Sequence, residues 1–182
     1  QKIQGKGSVV LDIKRFDFPV SGLTSYKELQ DAQNMNSQTI VVHNGSQSTT
    51  EDLANHLKLP VGTSVLYLER LRKVHGEVVI IDKDYLLTSI VPSISNEAAE
   101  DSLYHYIEQT LGLSIGYAQK EITVDPITEE DKRLMDLQED THVVVVRSDV
   151  YLEDTTLFQH TESRHRLDRF RFVDFARRRN SL

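Results

Sequence analysis

The 182-residue sequence contains no cysteine, no tryptophan and only four prolines. Without cysteine the chain can form neither a disulfide nor a thiolate metal site, which fits a reducing cytoplasm. No stretch approaches the roughly 18 apolar residues that a membrane helix needs, and no signal peptide is recognisable. Hydrophobic residues make up 38% of the sequence and charged residues 27%, a composition typical of a globular domain with its own core.

The sequence also lacks the short motifs of several enzyme classes. It contains no GxSxG nucleophile motif, no P-loop, no GxGxxG and no HExxH. Its seven histidines are scattered, and none sits in a zinc-binding spacing. We therefore expect no cofactor, no metal site and no catalytic residue, which favours a binding domain over an enzyme.

The formal net charge of −7 argues against nucleic-acid binding by this chain alone, because DNA phosphates demand a cationic surface. Positive charge is nevertheless concentrated towards the end of the sequence, where three arginines occupy positions 177–179. We interpret 177–182 as a solvated basic tail.

Two arginines stand out within residues 65–74, a run whose β-branched and apolar residues predict a strand. Alternation along a strand places Arg70 and Arg72 on the same face, together with two leucines. Two guanidiniums on a face that begins apolar need anionic partners or water, and their forks suit a phosphate or a carboxylate. The alternatives are solvated arginines at a wet strand end, or salt bridges to nearby acids.

The sequence repeats itself at an offset of about 78 residues. Residues 65–68 fall on 143–146, Thr50 falls on Thr128, and Asp84 falls on Glu162. Each half predicts a helix, a strand, a second helix and a hairpin. The predicted helices are 24–33, 51–58, 101–111 and 128–136, and the predicted strands are 39–42, 64–74, 77–87, 117–124, 142–152, 155–163 and 170–173. This order indicates a duplicated α+β domain with a mixed, mainly antiparallel sheet.

The two halves differ where the arginines lie, since the second half has Ser148 and Val150 at those positions. The turn of the first hairpin decides which acid faces the arginines. A three-residue loop at 74–76 with a bulge would pair Arg70 with Ile80 and place Asp82 on the arginine face. A two-residue turn would place the next residue, a lysine, there instead. We expect the bulged loop, with Asp82 as a salt-bridge partner for Arg70 or as an acceptor for ligand hydroxyls.

Several segments resemble one family of bacterial regulators. Residues 5–10 resemble the last wing strand of the winged helix-turn-helix domain in GntR-type regulators. Residues 19–26 resemble the opening of the effector-binding domain of the HutC subfamily, called the UTRA domain. Residues 116–122 and 161–178 resemble the branch of this family that represses trehalose operons in Gram-positive bacteria.

The resemblance implies a chorismate-lyase-like α+β fold and a homodimer. It divides the chain into a wing remnant and linker (1–18), an effector-binding domain (19–176) and the basic tail. It implies a phosphorylated disaccharide, trehalose 6-phosphate, as effector. Operator DNA would be bound through a missing N-terminal domain, and no contact with a membrane is implied. An enzyme acting on a small carboxylate and a pure dimerisation module are the alternative functions.

The resemblance also implies a set of effector-binding residues. Those for the phosphate are Arg70, Arg72, Thr88, Ser102 and Ser25, and those for the sugar are Tyr26, Asp82 and Glu162. Serine before a helix suits an anion because free N–H groups point towards it, although simple helix capping is the alternative for Ser25 and Ser102. Relatives often have tyrosine where this chain has Phe170, so a hydroxyl contact from that position is lost.

Overall fold

The computed structural model describes residues 15–174. The predicted wing segment 5–10 and the predicted basic tail 177–182 lie outside these residues. Within the described range, no helix is long and apolar enough to cross a membrane.

The described residues form eight strands and five α-helices. The strands are β1 (Phe16–Pro19), β2 (Ser37–Ser48), β3 (Ser64–Val74), β4 (Glu77–Leu87), β5 (Ile115–Pro126), β6 (His142–Leu152), β7 (Leu157–Arg166) and β8 (Phe170–Val173). The helices are α1 (Tyr26–Ala32), α2 (Glu51–Leu57), α3 (Asn96–Asp101), α4 (Leu103–His105) and α5 (Glu129–Leu134). A π-helical turn (Tyr106–Thr110) follows α4, and a 3₁₀ turn (Leu167–Arg169) precedes β8.

Six strands form one antiparallel sheet in the order β2-β3-β4-β7-β6-β5, and β1 pairs with β8 in parallel as a separate two-stranded sheet. The six-stranded order is symmetric about the seam between β4 and β7. Each half contributes an edge strand followed by a hairpin, as the 78-residue repeat predicts. The expected α+β architecture with a mainly antiparallel sheet is confirmed.

Side-chain caps explain where several helices begin. Ser25 and Glu28 form a reciprocal capping box at the start of α1, and Thr128 and Asp131 form another at the start of α5. Thr50 caps α2 by accepting a hydrogen bond from the backbone of the third helical residue. Each cap satisfies backbone N–H groups that the first helical turn leaves without a partner.

The predicted helix 101–111 is wrong as a single element. Helix α3 already begins after Ser95, whose side chain caps it, and the chain is interrupted at Ser102. The φ of −158° and ψ of 114° at Ser102 are extended, and its hydroxyl accepts a hydrogen bond from the backbone N–H of His105. This local bond starts α4 and competes with continuation of α3.

The predicted three-residue turn of the first hairpin is also wrong. His75 and Gly76 form a two-residue turn with φ values of 50° and 91°, and Val74 pairs directly with Glu77. Positive φ at both positions is typical of the tight hairpin turn whose twist matches the strands.

A bulge inside the hairpin nevertheless preserves the expected face. The register shifts between Arg72 and Lys73, so the extra residue cancels the shorter turn. Arg70 consequently pairs with Asp82, not with Ile80 as predicted, and Asp82 still shares the arginine face.

Hydrophobic clusters cover both faces of the sheet. On the arginine face, apolar side chains of β3, β4 and β6 pack against α3, α4 and the π-helical turn through Ala99, Leu103 and Ile107. On the opposite face, Leu71, Ile81, Met135, Val143 and Val145 form a second cluster beside α5. The sheet is therefore the middle layer, and the two arginines on its covered face are buried.

Arg166, at the end of β7, has no exposed surface. Its Nε donates to Asp168 at 2.6 Å, Nη1 donates to the carbonyl of Asp136 at 2.6 Å, and Nη2 donates to Glu77 at 3.0 Å. One side chain thus joins the first hairpin, the segment after α5 and the 3₁₀ turn.

We expect Arg166→Met to lower the free energy of unfolding by about 3 kcal/mol, because it removes the hydrogen bonds of a fully buried guanidinium to two acids and leaves the carbonyl of Asp136 without its charged donor. Denaturant unfolding monitored by circular dichroism measures this change. Arg171→Met is the matched control, since Arg171 forms an exposed ion pair with Asp17 that water screens, and its loss should cost much less. Equal losses in the two variants would contradict the role of Arg166.

Candidate functional site

A cavity of about 170 Å³ lies over the arginine face of the sheet. Its floor is formed by side chains of β3 to β7, and its walls by α1, α4 and the β1–β8 pair. A second, outer cavity of about 350 Å³ adjoins it and shares Leu23, Ser25, Ser102 and Tyr104 with it. The two cavities therefore meet between the starts of α1 and α4, and we call the first the inner cavity because its lining includes the buried Arg70 and Arg72.

Arg70 lies in the floor of the inner cavity and is 5% exposed. Its Nη2 donates to Asp84 at 2.6 Å, and its Nη1 donates to the carbonyl of Ala99 at 3.1 Å. The other oxygen of Asp84 accepts a hydrogen bond of 2.7 Å from the amide of Gln159. These contacts fix the guanidinium between the first hairpin, α3 and the second hairpin.

Arg72 is 3% exposed and is held in a similar way. Its Nε donates to Asp82 at 2.7 Å, and its Nη1 donates to Thr39 at 2.6 Å. The guanidinium carbon lies 4.3 Å from the centre of the Tyr26 ring, a cation–π distance. Asp82 also accepts a hydrogen bond from the hydroxyl of Ser163. The salt bridges considered as an alternative are present for both arginines, and both pairs line the cavity. The expected partner was wrong, however, because Asp82 pairs with Arg72 and Arg70 pairs with Asp84.

Opposing influences set the protonation of the Arg72–Asp82 pair. Burial alone raises the pKa of Asp82, but the charges of Arg72 and Arg70 outweigh it and lower the pKa below its usual value. Burial, followed by the charge of Arg70, lowers the pKa of the Arg72 guanidinium, while Asp82 opposes this change. Asp82 is thus an ionised acceptor at neutral pH.

Three buried polar atoms of the cavity lining have no hydrogen-bond partner among the described residues. They are Nε of Arg70, Oε1 of Gln159 and Nδ1 of His165. Buried polar groups are nearly always hydrogen-bonded, so each exception calls for a physical reason. One donor, one acceptor and one imidazole nitrogen therefore lack a partner in residues that line the same cavity.

Six of the eight residues expected at the effector site line this cavity. They are Arg70, Arg72, Asp82, Ser25, Tyr26 and Ser102. Ser25 and Ser102 also cap α1 and α4, so the capping alternative is correct as far as structure goes. The ligand-binding role of each of the six stays a prediction.

Thr88 does not line the cavity. It follows the end of β4, and both its N–H and its hydroxyl donate to the carbonyl of Ser64. It lies six positions after Asp82 along an extended strand, a distance of roughly 20 Å. Its expected contact with the same anion is therefore not supported.

Glu162 lies on the opposite face of the sheet, where it accepts a hydrogen bond of 2.9 Å from Arg147. The sugar contact that the resemblance implies for Glu162 is therefore not supported. The repeat could not reveal this, because the second hairpin pairs one residue out of step with the 78-residue offset, and one residue reverses the face. Thr161 and Ser163 line the cavity in its place.

Sequence reasoning missed Gln159, His165 and Lys120, which all line the cavity. Gln159 and His165 lie on β7. Their side chains face the cavity only because the second hairpin is one residue out of register with the first. Lys120 lies on the edge strand β5, where burial lowers the pKa of its ammonium group and its Nζ donates to the carbonyl of Gly22. The alternation of β5 was the only available signal for Lys120.

A separate cluster of His56, Asp149 and His160 lies on the opposite face, although the sequence predicted no metal site. Both imidazoles contact Oδ1 of Asp149, His56 at 3.2 Å and His160 at 2.7 Å. A carboxylate oxygen accepts two hydrogen bonds, so these contacts account for the arrangement without an ion.

We expect His165 to make the stability of the domain sensitive to pH. Burial lowers the pKa of His165 from 6.5 to about 4, with Asp82 opposing the change. The unfolded chain therefore binds a proton that the folded protein does not, and stability is lost as the pH falls from 6.5 towards 4. Between pH 7.5 and pH 5 this loss amounts to about 2 kcal/mol.

Urea unfolding of the wild type and of His165→Phe at the two pH values measures this contribution. The variant should lose about 2 kcal/mol less than the wild type on acidification. His142→Phe, at an exposed histidine, is the control and should behave as the wild type. An unchanged pH dependence in His165→Phe would contradict the assignment.

Comparison with known proteins identifies the family. The model of the UTRA domain matches residues 32–171. The HTH-type transcriptional regulator TreR of Bacillus subtilis is 52% identical over 178 residues, covering 98% of this chain and 75% of that protein.

Solved structures agree with this match. The B. subtilis trehalose repressor (TreR) effector binding domain superposes with a TM-score of 0.72 at 51% identity, covering 79% of this chain and 99% of that one. The effector domain of PhnF from Mycobacterium smegmatis gives a TM-score of 0.77 at 23% identity, over 89% of this chain and 99% of that one, which supports the fold alone. The expected chorismate-lyase-like fold is confirmed. The chain therefore belongs to the UTRA family and is the effector-binding domain of a GntR-type transcriptional repressor, not an enzyme.

Proposed function

We propose that this domain senses trehalose 6-phosphate in the cytoplasm and thereby modulates operator binding by a repressor of trehalose utilisation. The observation that supports a sugar phosphate is the cavity with its three unpaired polar atoms beside two buried arginines. The similarity to a trehalose repressor at about half sequence identity supports the trehalose part.

The proposed binding mode follows from hydrogen-bonding capacity. Arg70 has a free buried Nε, and Arg72 is fixed over the ring of Tyr26, so both guanidiniums are already oriented for an anion. The carboxylates of Asp82 and Asp84 hold them and have acceptor capacity for sugar hydroxyls. Ser25 and Ser102, at the junction of the two cavities, would supply hydroxyl and backbone donors.

Coupling to DNA would run through the β1–β8 pair, which forms one wall of the cavity. Phe18 of β1 stacks on Phe170 of β8 at 4.6 Å and meets the ring of His165 at 5.1 Å. The expected wing remnant and linker are residues 1–18, and β1 begins within that range, at Phe16. An effector that binds more tightly when Phe18 is in one position would therefore favour one path of the linker. Such unequal affinity for two conformations is what allostery requires.

We expect calorimetry to show clearly tighter binding of trehalose 6-phosphate than of trehalose. Arg70→Gln should weaken binding of the phosphosugar by about 2–4 kcal/mol, because a buried charged donor is lost. Arg164→Gln is the matched control: Arg164 is also 5% exposed and ion-paired with Asp131, but it does not line the cavity.

Circular dichroism at the titration temperature verifies that both variants are folded. Unchanged affinity in folded Arg70→Gln would remove Arg70 from the phosphate site. Equal or absent binding of both sugars by the wild type would refute trehalose 6-phosphate as effector.

We also propose that the domain acts as a homodimer. The edge strand β5 leaves Tyr117 and Val124 48% and 61% exposed, and it offers an unpaired row of backbone groups. Sedimentation equilibrium at micromolar concentration should give twice the 20.8 kDa chain mass. Val124→Lys should shift the population towards monomer if β5 contributes, and a wild type that stays monomeric would contradict the proposal.

A further inference from the structure

The charges that line the inner cavity do not cancel, and Lys120 is responsible. Arg70 is paired with Asp84 at 2.6 Å and Arg72 with Asp82 at 2.7 Å, so these four groups sum to zero. An incoming phosphate meets guanidiniums that are already neutralised. Paired arginines alone therefore do not explain how the cavity would select an anion over a neutral sugar.

Lys120 is the remaining half-buried cation of the lining. Its Nζ donates to a backbone carbonyl, that of Gly22, and no carboxylate of residues 15–174 forms an ion pair with it. Burial lowers the pKa of its ammonium group, and no charged neighbour contributes to the shift. An ammonium in that position is desolvated without a counter-charge, which an anionic ligand would supply.

Other charges near the cavity do not take this role. Lys27 also lines it, but Lys27 forms an exposed ion pair with Asp31 at 3.2 Å. Asp101 lines both cavities with an exposed side chain, so water screens its negative charge.

The internal repeat shows how the second half of the domain provides this cation. Ser148, the equivalent of Arg70, pairs across the strands with Lys120 on the edge strand β5. In the first half, Arg70 pairs with Val41 on the edge strand β2. The long cationic side chain thus lies on the inner strand in one half and on the edge strand in the other.

We infer that Lys120 supplies the uncompensated positive charge by which this cavity selects a phosphorylated sugar over the neutral one. The inference rests on the proposed function and identifies a specificity-determining residue for it. The bond to the Gly22 carbonyl is the one the ammonium would exchange when an anion enters. If Lys120 only held the segment around Gly22 in place, its loss would instead lower the affinity for both sugars equally.

The test is a comparison of two ligands across four proteins. Trehalose 6-phosphate and trehalose are titrated calorimetrically into the wild type, Lys120→Met, Lys120→Arg and Lys27→Met. We expect Lys120→Met to weaken phosphosugar binding by about 30-fold while changing trehalose affinity less than about threefold. Lys120→Arg, which keeps the charge, and Lys27→Met should preserve the discrimination between the sugars.

If Lys120→Met weakens the binding of both sugars equally, Lys120 has only a structural role and the inference is overturned. The inference is also overturned if Lys120→Met changes neither affinity. Titrations with glucose 6-phosphate and inorganic phosphate separate this inference from the proposed effector. If the wild type ignores trehalose 6-phosphate but binds another of these anions through Lys120, only the effector assignment fails. If it binds no anion, both fail.

Discussion

Two buried arginine–carboxylate pairs on one face of the sheet govern the rest of this structure. Taking a guanidinium out of water costs several kcal/mol, and the loss is recovered only where geometry and further hydrogen bonds are good. Arg70 and Arg72 meet this condition by drawing on both hairpins, on α3 and on the edge strand β2. A hydrophobic pair of the same volume would stabilise the fold at least as well. Their presence at the floor of a cavity therefore points to a ligand as the reason for them.

The two halves of the duplicated domain line the cavity with different polar groups. The two halves share strand order, helix caps and hairpins, so the seam between β4 and β7 is a local two-fold axis. The residues on the cavity face break that symmetry. The first half contributes the arginines and their acids, whereas the second contributes Ser148, Gln159, Ser163 and His165. Such an asymmetric floor suits a ligand whose two ends differ, and only one end of a monophosphorylated disaccharide carries charge.

Local sequence patterns predicted the elements of this domain well and their lateral arrangement less well. The boundaries of β3 and β4 follow from alternation and the His75–Gly76 turn, and Ser25 and Thr128 mark helix starts, because these signals are local. The face of Glu162 was not predictable from the repeat, since the turn of the second hairpin is one residue longer than that of the first, which reverses every side chain after it. Lys120 was missed because β5 lies four strands away from β3, which carries the two arginines. No local sequence pattern shows that these two strands line the same cavity.

An effector gains more free energy by hydrogen-bonding to polar atoms of the floor that have no partner than by displacing an existing partner. A ligand oxygen that displaced Asp84 from Arg70 would exchange one charge-assisted bond for another and gain little. An oxygen that accepts from Nε of Arg70, or a hydroxyl that donates to Oε1 of Gln159, satisfies an atom whose burial already costs about 1–3 kcal/mol. Binding of that kind leaves both salt bridges intact, so the arginine pairs serve as a fixed template. The choice between a charged and a neutral sugar would then fall to Lys120, the one cation of the lining that has no counter-charge among residues 15–174.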